Sequence, residues 1–429
     1  MSTLTESLRP PQTGSPKSLI RLTPAGLAIL CVSLIVATSF VTHRFGATPA
    51  PPSAAPATAT AANPTAANPP ADNATPWGDL VTVDIKLEQP EEYVSFENSE
   101  NRETKWVFSG TAAGTLRQLL GGCGFTAPQL DQTLAPEHLT DTATGVVVTP
   151  PDDVVLGLAP AAREKLYTLL AKWPENKPMA EPYHLPIDNP SSVLAESGLP
   201  EEMNTLLEKL SYVRKGHRYF SDGDLLLNRL PDRDSRLKML KALTNQTAVL
   251  ARLRVGPATD IDKLLGYWGA TPGVRSKDLR PLFESVRAAP GGGTISLLYL
   301  LPKFARERLY TFPLPQQEDS PRMDCHWTAL NFFNDVPDDR LQDNTYASNH
   351  IKEHFYQIGK PSACGDLIFV TNPQGEVIHS AVYIADDLCF TKNGVNFAQP
   401  WILMRLERLR DVYTFDGEPN VLYYRRKES

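Results

Sequence analysis

Two residues in the last quarter of the chain have the types needed for covalent catalysis, Cys325 and His379. Cys325 starts the run Asp324-Cys325-His326-Trp327-Thr328-Ala329-Leu330, which reads as a helix with the thiol at its N-terminus. A thiol there lies beside backbone N–H groups that lack intrahelical partners, at the positive end of the helix dipole. That setting favours the thiolate, which is the nucleophilic form. His379 stands in an apolar run, 377–384, that reads as a buried strand. An imidazole packed against the helix can take the thiol proton and return it to a leaving group.

A third polar residue has to hold the other ring nitrogen. The tight turn at Asp386-Asp387 decides which residue faces His379. A three-residue turn puts Thr391 and Asn393 on its face, and a two-residue turn puts Lys392 there instead. Asn393 is the preferred candidate, because an amide oxygen accepts the ring N–H without adding a charge. Cys325 or His379 alone would read as core packing. Their order along the chain, with the turn and buried strand of Gly365-Asp366-Leu367-Ile368-Phe369-Val370 between them, points to a site.

These pieces resemble the NlpC/P60 family of papain-like cysteine peptidases, which cleave cell-wall peptides. The family shows Asp-Cys-Ser-Gly at a helix start, then Gly-Asp-Leu, then His-Val-Gly-Ile-Tyr. Asp324-Cys325, Gly365-Asp366-Leu367 and His379-Ser380-Ala381-Val382-Tyr383 match in order and character. Tyr310 lies where members place a substrate-facing tyrosine, and 421–426 looks like the last strand of the family.

The resemblance covers little more than a quarter of the chain. It implies a papain-like α+β domain over 306–429 with a small antiparallel sheet. Cys325 would be the nucleophile, His379 the base and acid, and Tyr310 and Asp324 substrate contacts. The implied reaction is amide hydrolysis in peptidoglycan stem peptides through a thioester, with the Cys325 N–H in an oxyanion hole and no cofactor or metal. The sequence also departs from the pattern. His326-Trp327 replace Ser-Gly, Ala381 replaces a glycine, and the third member, twelve positions past the histidine, is Thr391. These departures favour an alternative, a non-catalytic envelope protein that kept the fold and binds cell wall or a partner.

His350-Ile351-Lys352-Glu353-His354 fits the H-x-x-E-H pattern of inverted zinc peptidases. Too little chain follows for a third ligand on a large domain, and a helix face accounts for the cluster. Five cysteines are present and no CxxC pair, which excludes zinc knuckles and thioredoxin-like motifs. A disulfide among Cys325, Cys364 and Cys389 is compatible with an oxidising compartment, and Cys364 and Cys389 otherwise read as structural.

The elements that must carry this module outward lie at the other end of the chain. No charged residue occurs from Leu22 to Val41, a span of roughly 30 Å as a helix. Arg9, Lys17 and Arg21 precede it, so the tail 1–21 is expected in the cytoplasm, a transmembrane helix at 22–42, and the bulk on the periplasmic side. Residues 43–77 are an Ala/Pro-rich linker with a reach on the order of 100 Å. The middle divides into an α+β module at 78–200 and a mainly helical one at 201–305, with strands at 79–87 and 248–255. Helices are expected at 111–120, 159–173, 200–216, 232–243, 261–267 and 277–288. A net charge of −7 excludes the electrostatic footprint of a nucleic-acid binder. The expected partners are a cell-wall peptide and the membrane.

Overall fold

The computed structural model of the chain describes residues 75–94, 102–314, 323–413 and 418–427. The expected tail, membrane helix and nearly all of the linker lie outside the described residues. Among the described residues no helix is long and apolar enough to cross a membrane. The architecture is α+β, with every sheet antiparallel.

Strand β1 (Asp79–Leu87) pairs along its whole length with β2 (Gln246–Val255), from Asp79 opposite Arg254 to Leu87 opposite Gln246. Strand β3 (Gly293–Ser296) adds to the other edge of β2. Residues 102–244 are therefore an insertion between two hydrogen-bonded neighbours. Such an insertion is tolerated because loop-closure entropy grows only slowly with length. It carries two cores of its own, one around Trp106, Phe108, Leu166 and Tyr167, the other around Leu207, Phe220, Leu226 and Met239.

The main core runs without interruption from Val249 through Phe283, Phe304 and Trp327 to Phe390 and Tyr424. This core draws on residues from both sides of the boundary at 305/306 between the expected ranges 78–200, 201–305 and 306–429. Local periodicity marks strands at 79–87 and 246–255 but says nothing about their being partners.

Within the insertion two glycine readings change. The helix expected at 111–120 continues through Gly121 and Gly122 to Cys123 and ends at Gly124, the residue with φ 101°. The helix expected to stop at Gly216 ends at Leu210. The chain then forms a hairpin, Tyr212–Arg214 against His217–Phe220, with Lys215 and Gly216 at positive φ in the turn. Helix α1 (Ile261–Trp268) follows its expectation. Asp260 caps it, and Ile261, Leu264, Leu265 and Trp268 form its buried stripe.

The large sheet has six strands, β4 (Phe355–Ile358), β5 (Leu367–Thr371), β6 (Val377–Ala385), β7 (Leu388–Lys392), β8 (Trp401–Arg405) and β9 (Asn420–Arg426), in the order β4-β9-β5-β6-β7-β8. Alternation gives it two covered faces. Leu367, Phe369, Val382, Phe390 and Leu403 join the main core together with α2 (Cys325–Leu330). Ile368, Val370, Ala381, Tyr383, Cys389 and Ile402 pack instead with Ala248 of β2, Ile85 and Leu87 of β1, and Leu409 of α3 (Leu406–Val412).

Candidate active site

Helix α2 is one short, fully buried piece. Asp324 is its N-cap, with Oδ1 accepting from the Trp327 N–H at 2.8 Å, so Cys325 is the first helical residue. Two further bonds hold the helix in place. Trp327 Nε1 donates to Asp339 at 3.1 Å, and Trp401 Nε1 of β8 donates to the Thr328 hydroxyl at 3.0 Å.

His379 sits on β6 where the register slips. Val370 pairs with His379 but Thr371 pairs with Val377, leaving Ile378 as an extra residue. The partner question is settled by a second bulge. The β6–β7 turn has two residues, Asp386 (φ 55°) and Asp387, between paired Ala385 and Leu388. Tyr383 nevertheless pairs with Cys389, so Ile384 is the odd residue. The bulge shifts the register by one, and Thr391 rather than Lys392 comes onto the His379 face.

His379 Nε2 lies 2.7 Å from Thr391 Oγ1, and that hydroxyl donates to the Ser380 carbonyl at 3.2 Å. Having spent its proton there, Thr391 accepts from the imidazole. The neutral ring is therefore protonated on Nε2 and presents the Nδ1 lone pair. Nδ1 lies 2.7 Å from the hydroxyl of Tyr413, whose ring stacks on the imidazole at 4.4 Å and 22°. Asn393 is one step further out, with Oδ1 3.5 Å from the Tyr413 hydroxyl. The strand ends at Lys392, and the chain turns through Gly394 at φ 69°. Asn393 thus reaches His379 only through Tyr413 in this arrangement.

Cys325 differs electrostatically from the other described cysteines. Burial would push its thiol up, but His326 first and then His379, by charge and by side-chain hydrogen bonds, outweigh this and bring it down to about 5. Burial pushes Cys364 up to about 12, and raises Cys123 and Cys389 as well. All four are free and buried. Cys364 and Cys389 belong to the cores on opposite faces of the sheet, so the disulfide compatible with the sequence does not form between them.

The remaining expected residues have structural partners. The Tyr310 hydroxyl donates to the Val249 carbonyl at 2.6 Å, and its N–H donates to the Trp401 carbonyl at 2.8 Å. Its φ of 64° lets the chain leave the β8 edge. Asp324 has one oxygen committed to the helix cap. Lys392 Nζ donates to the carbonyls of Gly394 and Asn396 at 2.7 and 2.9 Å. Burial pushes this amine down to about 8, while Cys325 and Asp324 pull the other way. The His350 and His354 ring centroids lie 4.5 Å apart, tilted by 54°, but no group of three metal-ligating side chains occurs among the described residues.

Three participants escaped the sequence reading. His326 is 4 % exposed, with Nδ1 2.5 Å from the Ser380 hydroxyl. Both residues adjoin residues already singled out, so adjacency was the available signal. Tyr413 follows α3 and carries no motif. Comparisons with protein families, curated proteins and solved structures found no match.

Proposed function

We propose that the chain is a membrane-anchored envelope hydrolase with an NlpC/P60-like, papain-like C-terminal domain that cleaves an amide bond in peptidoglycan stem peptides. One observation carries the reading. Of the four described thiols only Cys325 is drawn down, and it faces a histidine whose far nitrogen is held by Thr391.

In this mechanism the Cys325 thiolate attacks the scissile carbonyl carbon and forms the C–S bond. The backbone N–H of Cys325, at the first helical position and without an intrahelical partner, faces the developing oxyanion. The thiol proton, held on His379 Nδ1, passes to the leaving amine as the C–N bond breaks. The neutral imidazole then takes a proton from water, the hydroxide attacks the thioester, and the thiolate leaves. Thr391 keeps Nε2 protonated throughout. Tyr413, raised well above its ordinary value by burial and by Cys325, remains a neutral hydroxyl.

A second reading is favoured by one fact. Cys325 is 5 % exposed and His379 is fully buried, which suits a degenerate domain that binds rather than cleaves. The test is incubation of the full chain with purified stem peptides, followed by mass spectrometry. New amine termini that Cys325→Ala abolishes support the hydrolase. Binding without cleavage, unchanged in Cys325→Ala, supports the binding protein and sinks the hydrolase.

A further inference from the structure

The residue after the nucleophile is the place where this chain departs most from the pattern it resembles, and the fold puts that residue to use. His326 follows Cys325 in the first turn of α2, Ser380 follows His379 on β6, and the two side chains meet at 2.5 Å. Helix and strand thus each contribute an adjacent pair, Cys325-His326 and His379-Ser380. Ser380 is fully buried and His326 nearly so, and the His326 imidazole draws the Cys325 thiol down by charge and by side-chain hydrogen bonding. Ser380 occupies Nδ1, so Nε2 is the nitrogen left for the sulfur, and it carries a proton whenever the Ser380 hydroxyl donates or the ring is charged.

We propose that His326, held by Ser380, is a positioning residue that keeps a hydrogen-bond donor on the Cys325 sulfur, so the thiolate rests between two imidazoles. The inference rests on reading Cys325 as the nucleophile. The two rings divide the work. His379 exchanges a proton with substrate, as its Thr391 partner requires. His326 exchanges none, and its N–H bond stays intact through the cycle. It lowers the energy of the sulfur's charge before attack and again when the thioester collapses and the thiolate leaves. It holds the thiolate at the moments when His379 is neutral and the ion pair is absent.

Among the described residues, the other charged or titratable groups near the sulfur are Lys392 on β7, Asp324 at the helix cap and Tyr413 after α3. Lys392 would also favour the thiolate, but two of its donors are committed to the carbonyls of Gly394 and Asn396. Asp324 opposes it, and Tyr413 stays neutral.

The test is the pH profile of iodoacetamide labelling at Cys325 in the full chain, read by peptide mapping, for wild type, His326→Leu, His379→Gln and Ser380→Ala. Wild type should label with a midpoint well below that of an ordinary thiol. His326→Leu, which has no donor, should raise the midpoint by about one unit or more, that is, roughly a tenfold smaller thiolate fraction at acid pH. Ser380→Ala, which keeps the ring and loses its anchor, should raise it by a smaller step. Near-UV circular dichroism establishes that each variant is folded. If His326→Leu does not fold, Ser380→Ala carries the decision. Folded variants with the wild-type midpoint, while His379→Gln alone shifts it, would overturn the role of His326 and leave the nucleophile reading standing. A wild-type midpoint of 8 to 9, the ordinary thiol range, would overturn both.

Discussion

Two buried polar networks among the described residues make a contrast, and only one of them brings a thiol together with imidazoles. In the insertion, Arg163 pairs with Asp222 at 2.7 Å, both side chains fully buried. Arg163 also donates to the Val155 carbonyl at 2.7 Å and to Tyr167 at 3.1 Å, and Tyr167 donates to Asp222 at 2.5 Å. A permanent cation meets its carboxylate there. Burial raises Asp222 while Arg163 opposes it, and the cluster ties the helix Pro160–Leu170 to the chain ahead of Gly223. In the other network the Cys325 thiol is placed with two imidazoles, His326 and His379, which draw it down. Burial alone therefore does not mark a reactive site. The distinguishing feature is a thiol displaced toward its thiolate form by the imidazoles beside it.

Substitutions can separate the two networks. Cys325→Ala should have the largest effect, abolishing stem-peptide cleavage by at least about a thousandfold while leaving the fold intact. Asp222→Ala leaves the Arg163 charge buried without its partner and should destabilise the protein by about 3–5 kcal/mol in urea unfolding. Where that variant remains folded, its Cys325 labelling midpoint should match wild type. A shifted midpoint would show that the two networks are coupled.

Thr391→Val keeps the shape but strands a buried ring N–H. It should cost about 1–3 kcal/mol of stability and slow turnover by roughly tenfold or more. Unchanged turnover would make Thr391 a packing residue. Tyr413→Phe removes only the hydroxyl between Nδ1 and Asn393 and should change turnover by less than about tenfold. A larger loss would place Tyr413 in the proton-transfer step.

The pH profile sharpens the contrast within the C-terminal half. The thiolate fraction of Cys325 should fall as pH drops through about 5, whereas Cys364, pushed up to about 12, should stay unlabelled across the neutral range in the folded protein. Labelling of both with one midpoint would mean that the site's electrostatics do not act on Cys325.

Much of the site was legible where its signals are local. An aspartate before a cysteine that begins an apolar run specifies a cap and a first helical residue, because that geometry is closed within four residues. The strands at β5 and β6 and the short turn between β6 and β7 follow from apolar runs and turn residues in the same way. The sequence also contained both candidate orienters, Thr391 and Asn393, and their distances to His379 follow only from the register of β6 and β7.

What the tertiary structure alone decided was pairing. A single extra residue, Ile384, placed in a bulge rather than in the turn, exchanges Lys392 for Thr391 beside the histidine. That choice depends on which side chains fill each face of the sheet, and the turn sequence does not encode it. The same holds for β1 finding β2 across the insertion, and for His326 finding Ser380. Each requires two segments far apart in the chain to be brought together by a shared core. Local propensity names the elements, and long-range burial determines which of their residues meet.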